Sequence, residues 1–136
     1  MKITNNFRLE EFIESRFYTV EQQKNVWVSY YANENELLKN IIKLAFNLQT
    51  LRDELKQPVH INIAYRPEWY EASKGRSGFS QHCLAKAADI TVDGYTPEEV
   101  AETVERLILE GEMLQGGLKG YDTFTHYDVR KRRARW

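Results

Sequence analysis

Between residues 34 and 55 an apolar residue recurs at nearly every helical turn: Leu37, Ile41, Leu44, Leu48, Leu51 and Leu55, with Leu38, Ile42 and Ala45 widening the stripe. The period predicts a long helix with one face committed to a core. Pro58 follows its end, as expected of a helix stop. The partners of that face are read from the rest of the chain. Val59 to Ala64 alternates β-branched and polar residues and predicts a strand. Ala87 to Val92 predicts a second strand, ending at an Asp93-Gly94 turn. Thr96-Pro97-Glu98-Glu99 opens a helix, with Thr as cap, Pro in the first turn and acids beside the dipole. Val100, Val104, Leu107 and Ile108 give that helix its apolar face, and Gly111 closes it. Gly116 to Gly120 reads as a turn or strand edge, and Thr123 to Val129 as the last strand. Leu9 to Ser15 reads as a short helix with Phe12 and Ile13 turned to the core. Strands and helices mix without βαβ alternation, so the class is α+β: a small antiparallel sheet with helices on one side.

Two stretches are read as irregular. Residues 16–33 are rich in aromatics (Phe17, Tyr18, Trp27, Tyr30, Tyr31) and are expected to pack beneath a long loop, the alternative being a wall of a substrate cleft. Residues 66–79, RPEWYEASKGRSGF, read as a polar loop of the kind that carries function on a scaffold.

At 136 residues the chain fits one domain, 1–136, large enough for a real core. Its composition, 42% hydrophobic and 29% charged, is that of a globular protein rather than a disordered one. A formal net charge of -1 gives no case for nucleic acid. Arg130, Lys131, Arg132, Arg133 and Arg135 cluster in the final stretch, which reads first as a solvated segment and second as attraction to an anionic polymer. The single cysteine, Cys83, excludes an intramolecular disulfide. No apolar run reaches the length of a membrane span, and the first residues lack the apolar core of a secretory signal.

The chemistry-bearing residues fall in two segments. SQHCLAKAADI at 80–90 offers His82 and Asp89, and HYDVR at 126–130 offers His126 and Asp128. Two imidazoles and a carboxylate can hold a zinc ion and leave its fourth position open, as hydrolytic zinc sites require. On a strand, Asp128 would share the face of His126. The competing reading is a pair of histidines satisfied by hydrogen bonds alone. Cys83, read as adjacent to His82 on a strand, would point to the opposite face and act as a small buried filler. His60, out of phase with Val59, Ile61 and Ile63, reads as a solvent-side histidine.

YRP at 65–67, SQH at 80–82, AADI at 87–90, GGL at 116–118, the Y-x-T-F-x-H-x-D-x-R run at 121–130 and ARW at 134–136 together resemble the zinc D-Ala-D-Ala carboxypeptidases, peptidase family M15. The likeness is to the small single-domain branch found in phage and bacterial genomes, and it extends from Phe7 to Trp136. It implies a hedgehog/DD-peptidase-like zinc fold, Zn2+ as cofactor and a peptidoglycan peptide as substrate. By this resemblance His82, Asp89 and His126 are the metal ligands. Arg66 binds a substrate carboxylate or makes a structural salt bridge, and Ser80 and Gln81 shape the loop or donate hydrogen bonds to substrate. Relatives place an acid three residues before the distal His, where this chain has Thr123. Asp128 is therefore either the general base or the group that holds a ligand histidine, with Asp122 a third choice for the base. Two further departures are Ala85, where the family has Gly, and Lys119 before Gly120. The implied protein is a monomer that hydrolyses stem peptides at a bond involving a D-amino acid. It would be made in the cytoplasm and reach the wall by release or by another export route. The alternative is a non-catalytic zinc-stabilised wall-binding or structural module.

Overall fold

The computed structural model describes residues 1–77 and 80–136; Gly78 and Phe79, part of the expected polar loop, lie outside the described residues. Among these residues the chain runs α1 (Leu9–Ile13), α2 (Val20–Ala32), α3 (Glu34–Leu55), β1 (Val59–Ile63), α4 (Glu68–Ser73), a 3-10 turn (Gln81–Leu84), β2 (Ala87–Val92), α5 (Pro97–Leu109), β3 (Leu118–Gly120) and β4 (Thr125–Asp128). The four strands form one antiparallel sheet in the order β1-β2-β4-β3. The α+β class with a small antiparallel sheet is as expected.

α3 matches the predicted stripe: Leu37, Ile41, Leu44, Ala45, Leu48, Leu51 and Leu55 are buried. Ile42, counted with that stripe, is instead exposed. α5 begins as its sequence dictates. Thr96 accepts a hydrogen bond from the Glu99 amide, and the Glu99 side chain returns one from the Thr96 amide. α5 packs on β2, β3 and β4, and α3 packs on α5. The sheet face they cover carries Ala88, Ile90, Val92, Leu118 and Tyr127, all buried. Polar ties lock the layers. The Thr125 hydroxyl donates to the Pro97 carbonyl (2.8 Å), and the Tyr127 hydroxyl donates to the Leu114 carbonyl (2.7 Å).

Two expected loops are helical. Residues 20–32 form α2, capped by a reciprocal Thr19–Gln22 pair. Only Val26 and Tyr30 of α2 are buried, so its apolar pattern is weak. Tyr18 is buried with the core, whereas Phe17 is half exposed. Residues 68–73, inside the expected polar loop, form α4 behind Pro67. The segment holding His82 and Cys83 is a 3-10 turn rather than a strand. The basic stretch is exposed at Lys131, Arg132 and Arg133, as expected, but is tied down further on. Ala134 bridges to Gly117, and the Arg135 guanidinium is clamped by Glu105 at 2.8 and 2.9 Å. The last strand is shorter than expected, beginning at Thr125.

Candidate metal centre

The face of the sheet turned away from α5 carries the polar residues. Asp89 and His126 are direct cross-strand partners of β2 and β4, and Ala87 stands opposite Asp128 on the same face. Residues at i and i+2 share a face, so the register alone sets two of the candidate ligands side by side. The third comes from the turn. Ser80 caps it by accepting the His82 amide (3.0 Å), and Ala85 closes it in the left-handed region at φ 56°. This is the position where a glycine was expected, and its backbone does take the conformation that favours glycine.

The three side chains converge. His82 Nε2 and His126 Nδ1 each lie 3.3 Å from Asp89 Oδ1. One ligand atom from each of the three lies within 4.8 Å of the others. Tetrahedral zinc ligands at about 2.1 Å stand about 3.4 Å apart, so the spacing fits. The residues are 2%, 8% and 8% exposed for His82, Asp89 and His126, which puts the cluster at a cleft floor rather than on an open surface. Asp89 Oδ1 is buried without a hydrogen-bond partner. A buried carboxylate oxygen between two ring nitrogens and bonded to neither is what a cation would satisfy.

Each imidazole is held from behind. His82 Nδ1–H donates to the Ala64 carbonyl at the end of β1 (2.7 Å), which leaves Nε2 as the free lone pair. His126 Nε2–H donates to Asp128 Oδ2 (2.7 Å), which leaves Nδ1. Such outer partners fix tautomer and ring orientation. Burial pushes His82 toward the neutral form and outweighs the pull of Asp89. Burial acts the same way on His126, but the facing carboxylates of Asp128 and Asp89 win and raise it. Burial also opposes ionisation of Asp89, yet the imidazoles of His126 and His82 hold its carboxyl well below the usual range.

Asp128 shares the His126 face, as its spacing required. Its carboxylate is fully buried and engaged elsewhere. Beyond His126, it accepts from the Gly117 amide (2.8 Å) and from the Arg130 guanidinium through both oxygens. Burial works against its ionisation, and His126, Arg130 and the Gly117 amide together hold it low. The GGL motif acquires a reason here. A Cβ at Gly116 would strike the Asp128 backbone oxygen, and one at Gly117 would strike the Asp128 carboxylate.

A cleft of about 480 Å³ opens over the cluster, lined by Arg66, Ser80 and Gln81 and walled by Tyr121, Phe124 and Trp136. Arg66 sits beside the cluster, its Nη1 4.0 Å from Asp89 Oδ2. Gln81 Oε1 is buried without a partner, and Ser80 Oγ is used in the turn cap. Trp136 stacks edge-on against His126 at 5.1 Å, a placement nothing in the basic stretch announced. Cys83 is only half-buried and faces a separate groove with Tyr65 and Trp69. Asp122 lies in another groove beside Glu98 and Lys119. Thr123 is exposed. Lys119 is a regular residue of β3 opposite His126, so its replacement of a glycine rearranges no turn. His60 is solvent-side, paired with Asp93 at 2.9 Å.

No helix among the described residues is long and apolar enough to cross a membrane. A search of curated proteins finds no match. The profile of the Peptidase M15 family, by contrast, matches residues 6–128 and so takes in every strand and helix among the described residues and all three converging side chains. The chain belongs to the peptidase M15 family, a family of zinc metallopeptidases, and its His82–Asp89–His126 cluster is able to bind a metal.

Proposed function

We propose that the protein is a zinc peptidase that hydrolyses peptidoglycan stem peptides at a bond involving a D-amino acid. The observation that carries this reading is the trio His82, Asp89 and His126 at the cleft floor, with an orphaned Asp89 oxygen between the two imidazoles. Those three residues would hold the ion. Bound zinc supplies Lewis acidity toward a peptide carbonyl and lowers the pKa of a water to about 7. The chain's own residues do the rest. Arg66 offers a guanidinium beside the cluster for a substrate carboxylate. Gln81 offers an unengaged side-chain carbonyl oxygen, an acceptor for a peptide N–H. Asp128 acts through His126: its saturated hydrogen bonding supports a positioning role over that of general base.

The test is elemental analysis for one zinc per chain, followed by digestion of purified muropeptides with and without chelator. Chelator-sensitive release of a D-amino acid or a shortened stem is expected. Full zinc occupancy with intact muropeptides would reject the reading.

That outcome would favour the second reading, a zinc-stabilised module that binds wall fragments without cutting them. One observation speaks for it. Asp89 is the only carboxylate among the described residues lining the cleft, so none beyond the ligand set stands ready to take a proton.

A further inference from the structure

Glu71 was not singled out by the sequence, yet it is as completely buried as Asp128. It projects from α4 and is 0% exposed. Two arginines converge on it. Arg66 Nε lies 3.3 Å from Oε1, and Arg76 Nη1 donates to Oε2 at 2.8 Å. The Arg76 amide also donates to the Glu71 carbonyl at 2.9 Å, so residue 76 is tied to residue 71 twice. A buried carboxylate is tolerable when paired, but one arginine would suffice for that. Arg66 also stands 4.0 Å from Asp89 Oδ2, so with Asp89 given over to a metal the two cations exceed the charge of Glu71 by one. The structure shows where that charge is presented.

Arg66 and Arg76 both line the cleft over the metal cluster. Both also line an adjoining lobe of about 210 Å³ walled by Phe17, Ile63, Tyr70 and Phe124. Asp89 lines both lobes, so the two guanidinium groups stand where a polar lobe that holds both histidines meets a more apolar one. A guanidinium carries five donors in a planar fork. Arg76 spends Nη1 on Glu71, whereas Arg66 Nε and Glu71 Oε1 form an ion pair without a hydrogen bond and Arg66 Nη1 stands 4.0 Å from Asp89 Oδ2.

We propose that Arg66 and Arg76, docked on Glu71, form a two-armed clamp for a peptide carboxylate. Glu71 is its positioning residue, and Arg76 is the arm that sets the preference for an anionic ligand. The inference rests on the reading of this cleft as a peptide site. It adds a specificity residue to that reading and does not depend on turnover.

The experiment uses the zinc-loaded protein and a D-Ala-D-Ala isostere with a ketomethylene in place of the scissile amide, prepared as free acid and as primary amide. Calorimetry gives the two affinities. The parent is expected to bind the acid roughly tenfold or more tighter than the amide, as charge-assisted pairing requires. Arg76→Met, on a half-exposed side chain, is expected to remove most of that ratio while leaving amide affinity and zinc content unchanged. Glu71→Gln is expected to reduce the ratio likewise, and Glu71→Asp to restore part of it. A parent without acid preference overturns the clamp, and so does an Arg76→Met protein with the parental ratio. If Glu71→Gln does not fold, Arg76→Met decides alone. Acid preference without muropeptide hydrolysis would sink the peptidase reading and keep the clamp. Hydrolysis without acid preference would do the reverse.

Discussion

The two histidines of the cluster sit in regions built on different principles. His82 is presented by a 3-10 turn and backed by a main-chain carbonyl, that of Ala64. His126 is presented by a central strand and backed by a carboxylate, that of Asp128. A carbonyl fixes a tautomer and adds no charge, and burial leaves His82 with a lowered basicity. A carboxylate fixes the tautomer and also raises the basicity of the ring, as it does for His126. The turn thus depends on backbone geometry, which side-chain substitution reaches only indirectly. The strand depends on a side-chain network of Asp128, Arg130 and Gly117 that substitution can take apart one piece at a time.

The largest effect should erase the difference between the two regions. His82→Ala and His126→Ala are both expected to lose stoichiometric zinc while remaining folded. Elemental analysis with circular dichroism checks this, and full zinc in both variants would break the assignment of ligands.

Asp128→Asn should then expose the asymmetry. Zinc affinity is expected to fall roughly 10–100-fold, with activity following occupancy. A different pattern, zinc retained and the rate down by about 10²–10⁴, would make Asp128 a general base instead. Measuring metal affinity and muropeptide turnover on the one variant separates the two.

Gly117→Ala tests the same network sterically. The added methyl meets the Asp128 carboxylate, so a loss of about 1–3 kcal/mol is expected, together with weaker zinc binding. Denaturant melts read the first and a chelator competition the second. An unchanged melt would show that the network yields without penalty.

On the turn side, Ala85→Gly should do little. Releasing an L-residue from the left-handed region gains about 1–2 kcal/mol. The entropy of a new glycine and one lost buried methyl return about the same. The net change should stay within about 1 kcal/mol, so a melting shift beyond about 4 °C would contradict the balance.

The smallest effect belongs to Cys83. Burial pushes its thiol up to about 11 from an ordinary 9.0, so far less thiolate exists near neutrality, and alkylation should be slow at pH 7 and quicken as pH rises toward 11. Cys83→Ser should leave zinc content unchanged. A timed thiol-reagent assay from pH 7 to 10 checks the first point, and fast labelling at neutral pH would refute it.

What the sequence disclosed follows from what is local. α3, β2 and α5 were legible from periodicity and caps, because their apolar faces or terminal residues repeat within a few positions. α2 was not, since only Val26 and Tyr30 turn inward, although the Thr19–Gln22 capping pair was there to be read. α4 hid inside a polar stretch, with Pro67 and Glu68 its only announcement. The three candidate ligands were legible from residue type and family spacing. Arg66, Ser80 and Gln81, which line the cleft, were legible from the family motifs as well, but its remaining determinants were not. Glu71 finds Arg66 and Arg76 only once α4 has turned it inward. The carboxylate of Asp128 is directed by Arg130 and by Gly117, whose role depends on a neighbouring strand. Trp136 reaches His126 only because Ala134 has bridged to Gly117.

The pairing of Asp89 with His126 carries a consequence for how the chain finds its fold. On β2 the odd-numbered positions and on β4 the even-numbered ones share the metal face. This parity is all or nothing. A slip of one residue in either strand would send Asp89 or His126 into the layer under α5 and lift Ile90 or Tyr127 out of it. Stranding a carboxylate among aliphatic side chains costs several kcal/mol, enough to depopulate such a slipped sheet. The polar residues of the cleft therefore act as an error check on assembly. An ion can be captured only by chains that have already passed it.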